Sequence, residues 1–210
     1  MIKSIEQIKF EKKRSAVYMD DGETVNVFNA TIKEYCLAEG SNYSTDEIKR
    51  IAFEGEQHLA FTSAIDSLSR CMKSQNEIRE NLKQKKFSSE AIDFTVTKLL
   101  GYNYLGDEKY AETYVSFKAD KTGRRKIIYD LTTLKGIPKS VAEKVVFDTI
   151  SDEAELEKAI SMATKYIEKE KKRISRLRDK VWNFLAVRGF ETDIISQAMS
   201  KLDFSTEENE

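Results

Sequence analysis

The sequence predicts a mainly α protein: three tandem three-helix repeats forming an elongated, curved body, preceded by a small N-terminal β-hairpin region. Three observations carry this prediction. The 210 residues contain one proline and eight glycines, so long stretches can run as unbroken helix. One ordered set of apolar, basic and turn residues recurs three times at intervals of about 50 residues. The only stretch with a period of two lies at the N-terminus, around Asp21-Gly22.

Asp21-Gly22 stands between Ser15–Asp20 and Glu23–Phe28, both rich in β-branched or aromatic residues, which is a strong hairpin signal. A two-residue loop pairs Tyr18 with Val25 and Ala16 with Val27, and Ile8-Lys9-Phe10 is expected to supply a third, short strand. A hairpin is marginal alone, so its apolar face needs a cover. After Phe28 the period becomes helical. Ile32, Tyr35, Cys36 and Leu37 indicate a short helix ended by Glu39-Gly40-Ser41-Asn42, and Ser44-x-x-Glu47 is a capping box opening the next.

Each repeat contains an upstream amphipathic helix, an apolar pair four residues apart, a basic or glycine-containing turn, and a third helix. Repeat one has Ala60–Met72, then Ile78 and Leu82, Lys85-Lys86-Phe87, and Ile92, Val96 and Leu99. Repeat two has Asp107–Phe117, then Ile127 and Leu131, Lys135-Gly136-Ile137, and Val141 and Val145. Repeat three has Leu156–Ile167, then Val181 and Leu185, Arg188-Gly189-Phe190, and Ile194, Ile195 and Met199. Ser74-x-x-Glu77 and Ser88 are placed as caps, Pro138 fits a first helical turn, and Gly136 and Gly189 sit where a helix end takes a left-handed residue. Lys86 holds that place in repeat one, and the Leu131–Gly136 interval is one residue longer than its counterparts. The expected organisation is a hairpin region over 1–28, a connecting helical segment over 29–58, repeats over 59–105, 106–154 and 155–204, and an acidic tail over 205–210.

Composition narrows the function classes. Charged residues are 34% and hydrophobic ones 40%, which fits helices with narrow apolar stripes rather than disorder. The net charge is −1, so an anionic partner has to be recognised by local patches. No apolar run is long enough to span a membrane and no signal peptide is visible, so the expected compartment is the cytoplasm. Cys36 and Cys71 make no metal or disulfide framework, and His58 has no ligand partner at helical spacing. Gly101-x-x-x-x-Gly106 is followed by Asp107-Glu108, which would repel a triphosphate and is better placed in the first turn of a helix. No converging carboxylates suggest a two-metal nuclease. The sequence is therefore read as a binding protein without cofactor or metal, not as an enzyme of nucleic-acid metabolism.

Basic residues concentrate in equivalent parts of the repeats. Eight Lys/Arg lie in 165–180 against three acids, among them Lys171, Lys172, Arg173, Arg176, Arg178 and Lys180. Seven lie in 118–139 against two acids, among them Arg124, Arg125, Lys126 and Lys135. Lys83, Lys85 and Lys86 form a smaller group, and Arg188 lies in the third turn. Aligned by stacking, these would form a stripe for a phosphate backbone or an acidic groove; the bland alternative is a solvated helix face. Arg124 and Arg125 lead the candidates because they follow Gly123 in a turn. Tyr102, Tyr104, Tyr110, Tyr114, Phe117 and Trp182 are read as core, although such rings also stack on unpaired bases.

The segment Tyr104-Leu105-Gly106-Asp107-Glu108-Lys109-Tyr110-Ala111-Glu112-Thr113-Tyr114-Val115 resembles the central signature of the RecX family. Gly123-Arg124-Arg125-Lys126-Ile127, Leu131 and Lys135-Gly136-Ile137 continue the resemblance. Ser74, Glu77, Ile78 and Leu82 carry it into the first repeat, and Arg188-Gly189-Phe190 into the third. It extends from about Leu59 to Leu202, and the hairpin region is similar to the extension of longer members. The resemblance implies a monomeric modulator of the RecA recombinase that binds the RecA–DNA filament. Its implied effect is to suppress ATPase, strand exchange and co-protease activity. Single- and double-stranded DNA are implied as weaker partners, and a membrane is not. The alternative is an autonomous DNA-binding helical-repeat protein that acts without a recombinase.

Overall fold

The computed structural model describes residues 1–170 and 176–204. Two compact units emerge from the internal contacts. The first comprises Met1–Lys73 with Glu77–Leu105, and the second Ser74–Asn76 with the chain from Gly106 onward.

The first unit begins with an antiparallel sheet of β1 (Ile2–Gln7), β2 (Arg14–Met19) and β3 (Thr24–Phe28), in that order. Its hairpin differs from the expected one by a single residue of register: Val17 opposes Val25 and Ser15 opposes Val27. The loop takes three residues, not two. Met19 N–H donates to the Glu23 carbonyl (2.9 Å), Gly22 adopts φ +90°, and Asp21 Oδ1 accepts the Glu23 N–H (2.9 Å). Because side chains alternate along a strand, this shift buries Val17 and Met19 with Val25 and Val27 and leaves Tyr18 half-buried. The third strand is also displaced from its expected place: Ile2–Gln7 pairs with β2, while residues 8–10 belong to the connecting turn.

The short helix α1 spans Asn29–Glu34, and α2 spans Thr45–Leu68. Both halves of the Ser44/Glu47 capping box are present. The first half of α2 covers the sheet with Ile48 and Ile51, and its second half supplies Ala60 and Ala64 to repeat one. The expected division at 58/59 thus falls inside one helix. Repeat one is completed by α3 (Gln75–Gln84) and α4 (Ser89–Gly101), with Ile78, Leu82, Ala91, Val96 and Leu99 in its core. Ser88 caps α4 by accepting the Ala91 N–H (3.4 Å).

The second unit holds repeats two and three. Repeat two is α5 (Asp107–Lys118), α6 (Arg124–Tyr129), a π turn (Asp130–Leu134) and α7 (Lys139–Thr149). Repeat three is α8 (Asp152–Glu170), α9 (Leu177–Val187) and α10 (Thr192–Ser200). The predicted apolar sets form their cores, with Ile127, Leu131 and Ile137 in one and Val181, Leu185 and Phe190 in the other. Asp107 and Glu108 lie in the first turn of α5, as their charge favours. Pro138 sits at the N-cap of α7, one place ahead of the first turn.

The middle helix of every repeat ends alike. Phe87 N–H donates to the Leu82 carbonyl and Phe190 N–H to the Leu185 carbonyl (both 3.2 Å), closing over Lys86 (φ +63°) and Gly189 (φ +85°). In repeat two the matching bond joins Ile137 to Leu131 (3.0 Å), one residue further apart, across Gly136 (φ +67°). The π turn absorbs that extra residue: Lys135 N–H donates to the Asp130 carbonyl (3.1 Å), so Leu131 and Ile137 still meet the same core.

Each of these turns also accepts a hydrogen bond from a segment earlier in the chain. Arg14 Nη2 reaches the Lys86 carbonyl (2.8 Å) and Ser74 Oγ the Lys135 carbonyl (2.6 Å). Gly123 N–H reaches the Arg188 carbonyl (2.9 Å) and Arg125 N–H the Gly189 carbonyl (3.1 Å). At this last joint a Cβ on Gly123 would lie 2.4 Å from the Gly189 oxygen, and one on Gly189 would lie 2.6 Å from the Lys126 nitrogen. Two backbones touch there, and only glycine fits on either side.

Candidate anion-binding surface

The expected basic residues divide into exposed, engaged and buried sets. In the first unit Lys83, Lys85 and Lys86 are exposed around the end of α3. Lys83 Nζ stands 3.9 Å from Glu80, Lys85 Nζ donates to Ser63 Oγ (2.5 Å), and Lys86 Nζ pairs with Glu11 (3.1 Å).

In the second unit Arg125, Arg176, Arg178 and Arg188 are exposed. The guanidinium of Arg188 lies over the Phe184 ring (4.9 Å), and that of Arg178 over Phe204 (5.6 Å). Lys126, half-buried, stands 3.5 Å from Asp130. Lys135 and Lys180 are half-buried; Lys171, Lys172 and Arg173 lie outside the described residues.

Arg124, read from the sequence as a leading surface contact, is 2% exposed and lies within the fold. Its backbone N–H donates to Glu155 Oε1 (2.8 Å), Nη1 to Asp152 Oδ1 (2.5 Å) and Nη2 to Glu191 Oε2 (3.2 Å). The Phe147 ring lies 4.9 Å from its guanidinium carbon. Glu155, itself fully buried, is paired with Lys158 Nζ (2.7 Å). A charge removed from water needs such partners. Arg124 therefore ties the start of α6 to α8 and to the residue that opens α10, and its side chain is not offered to a ligand.

The aromatic expectations also need correction. Tyr110 is buried and Tyr114 half-buried, with their rings stacked at 6.3 Å. Phe117 is 73% exposed, because two residues beyond Val115 is about 200° round the helix from that buried position. Tyr102 and Tyr104 are exposed and touch each other (5.8 Å), with Tyr102 edge-on to Phe61 (6.2 Å). Trp182 is half-buried and shares with Arg176 and Lys180 the lining of an open cavity of about 740 Å³. Burial, followed by donation of its hydroxyl proton to Asp130 Oδ2 (3.1 Å), pushes the Tyr114 phenol up to about 12.

Three exposed lysines missed by the sequence reading, Lys9, Lys12 and Lys13, lie in the β1–β2 turn, and the last two line the same cavities as Lys85. The basic density of residues 9–14 was the available signal, obscured by assigning Ile8–Phe10 to a strand. Among the described residues no group of His, Cys, Asp and Glu is placed to hold a metal ion, and no helix is long and apolar enough to cross a membrane.

Tandem three-helix modules, whose middle helices end in the same left-handed turn and which carry exposed cations, define a helical-repeat protein. The family model described as RecX, first three-helix domain, matches residues 60–99, and RecX, third three-helix domain, matches 153–199. Regulatory protein RecX of Clostridium perfringens is 31% identical over 207 residues, covering 96% of this chain and 95% of that protein. Its Bacillus subtilis counterpart is 27% identical over 210 residues, covering 98% of this chain and 79% of that protein. The chain belongs to the RecX family of regulatory proteins. Two solved structures share the fold at 24% identity. A regulatory protein RecX gives a TM-score of 0.69, covering 95% of this chain and 99% of its own. RecX from Lactobacillus salivarius gives 0.65, covering 70% of this chain and 97% of its own.

Proposed function

We propose that this chain modulates the RecA recombinase, mainly negatively, by binding the RecA–DNA filament and suppressing its ATPase, strand-exchange and co-protease activities. The observation that carries the reading is the family relationship, which extends over nearly the whole chain. The exposed cations supply a physical means. Arg125, Arg176, Arg178 and Arg188, with Lys83, Lys85 and Lys86, give local positive charge to a molecule of net charge −1. Lys126, Lys135 and Lys180 add partly exposed charge, and Lys171, Lys172 and Arg173 stay in the proposal from sequence alone. Suppression requires no chemistry by this chain: a ligand that binds one filament state more tightly than another shifts the filament by that difference. The reading is of a cytoplasmic monomer without cofactor or catalytic turnover.

A second reading, DNA binding without a recombinase, is favoured by the cavity that Arg176, Lys180 and Trp182 share, since a ring beside cations suits an unpaired base. Measuring RecA ATPase on single-stranded DNA with and without the protein tests the first reading. The rate is expected to fall on addition of the wild type. It should recover in a variant with Arg125, Arg176 and Arg178 changed to Glu whose circular dichroism is unchanged. An ATPase rate indifferent to the wild type, with tight binding to naked DNA, would favour the second.

A further inference from the structure

The β1–β2 turn faces the end of α3 across a groove. Lys12, Lys13, Phe28 and Lys85 line two cavities of about 420 and 430 Å³ in common, so the cavities adjoin along this row. Each is nucleotide-sized rather than duplex-sized. The ring of Phe10, 87% exposed, stands on the rim of the second. Phe10 buries almost nothing, so the fold does not require an aromatic residue there.

The turn is held in one shape. Gln7 Nε2 donates to the carbonyls of Glu11 (3.0 Å) and Arg14 (2.8 Å), and Asn29 Nδ2 to that of Lys12 (3.1 Å). The Asn29 backbone N–H donates to the Lys13 carbonyl (2.9 Å). The lysines are thus presented from a fixed backbone, which reduces the ordering required on binding. The nearby acids are largely engaged. Glu11 is held by Lys86 (3.1 Å), and Glu56 by Arg14 (2.7 Å) and by the Ser88 N–H (2.9 Å). Asp66 in the first cavity's lining faces Lys12, Lys13 and Lys85, so the groove is net positive.

We propose that this groove binds single-stranded nucleic acid, with backbone phosphates on Lys12, Lys13 and Lys85 and an unstacked base on Phe10. The proposal rests on reading the chain as a binder of DNA-containing filaments, and it gives the N-terminal sheet a part in that binding. A rim aromatic between cations suits a strand whose bases are free to stack. In a duplex the faces are covered by neighbouring bases. An acidic peptide would engage the lysines and leave Phe10 without a partner.

The test titrates fluorescein-labelled oligothymidylate with the full-length protein at several salt concentrations, without recombinase. Phe10→Ala is expected to weaken binding about fivefold or more, and Phe10→Trp to keep it. Changing Lys12 and Lys13 to Glu should flatten the log–log salt dependence by about 0.7 per lost contact. These side chains are exposed, so circular dichroism should not change. Binding by Phe10→Ala equal to the wild type would overturn the proposal, as would equal or tighter binding of a duplex of the same length. A third overturning result is tighter binding of polyglutamate than of the oligonucleotide. No binding of oligothymidylate by the wild type would also overturn it. Suppression of RecA ATPase, measured separately, would remain intact in that event and so distinguishes failure of the groove from failure of the regulatory reading.

Discussion

The turn after α9 and the turn after α3 follow the same left-handed path, yet one is built on Gly189 and the other on Lys86. What touches them explains the difference. At Gly189 the start of α6 lies backbone against backbone, and a methyl group has no room. At Lys86 the preceding element reaches the turn through the long side chain of Arg14, which keeps the main chains apart and leaves the lysine side chain exposed. A joint made by main chain demands glycine, whereas one made by a side chain tolerates a basic residue, whose ammonium here reaches Glu11. Arg124 and Arg125 show the same division one residue apart: the first is buried within the joint and the second remains outside.

The sharpest way to break this comparison is at Arg124. Arg124→Ala should lose about 2–3 kcal/mol of stability in urea denaturation, because it empties a buried site and takes the guanidinium from Asp152, Glu191 and the Phe147 ring, while the backbone bond to Glu155 remains. Arg125→Ala should stay within about 0.5 kcal/mol of wild type. Equal stability of the two variants would return Arg124 to the surface. The turns themselves come next. Gly189→Ala should cost about 2 kcal/mol or more, combining left-handed strain with main-chain overlap. Lys86→Gly should instead raise the melting temperature, by the equivalent of at most about 1 kcal/mol. A glycine at 86 that destabilises the protein would mean that Lys86 holds the joint with its side chain. The smallest effect is alkaline and confined to repeat two. The Tyr114 phenol rises from 10.0 to about 12 on folding, so its contribution is complete below pH 10 and is lost as pH rises through 12. Tyr114→Phe should flatten that part of the stability–pH curve, as followed by denaturation and ultraviolet titration of tyrosinate.

The repeat cores were legible because a helical period of apolar residues survives any change in neighbouring loops. Ile78 and Leu82, and Val181 and Leu185, lie buried where that period puts them. The hairpin was legible in kind but not in register, since Asp21-Gly22 suits a two-residue loop as well as the three-residue loop that formed. Strand β1 was obscured because IKSIEQ alternates only weakly between apolar and polar residues. The extra residue before Gly136 was visible as an irregular interval, but its absorption into a π turn depends on keeping Leu131 in the core. The fate of Arg124 was beyond a one-dimensional reading, because Asp152, Glu155 and Glu191 reach it from 28 to 67 positions away. Lys12 and Lys13 become part of a groove only when the β1–β2 turn meets Lys85, 72 or more positions later.

The uninterrupted α2 has a mechanical consequence. Its 24 residues form a rod of about 36 Å at 1.5 Å per residue. One end is clamped to the sheet by Ile48 and Ile51, and the other is set into the first three-helix module by Ala60 and Ala64. A load applied to the sheet passes along this rod without meeting a flexible joint, so twisting one end turns the other. Whatever grips the N-terminal strands therefore has a handle on the first module, with α2 as the shaft.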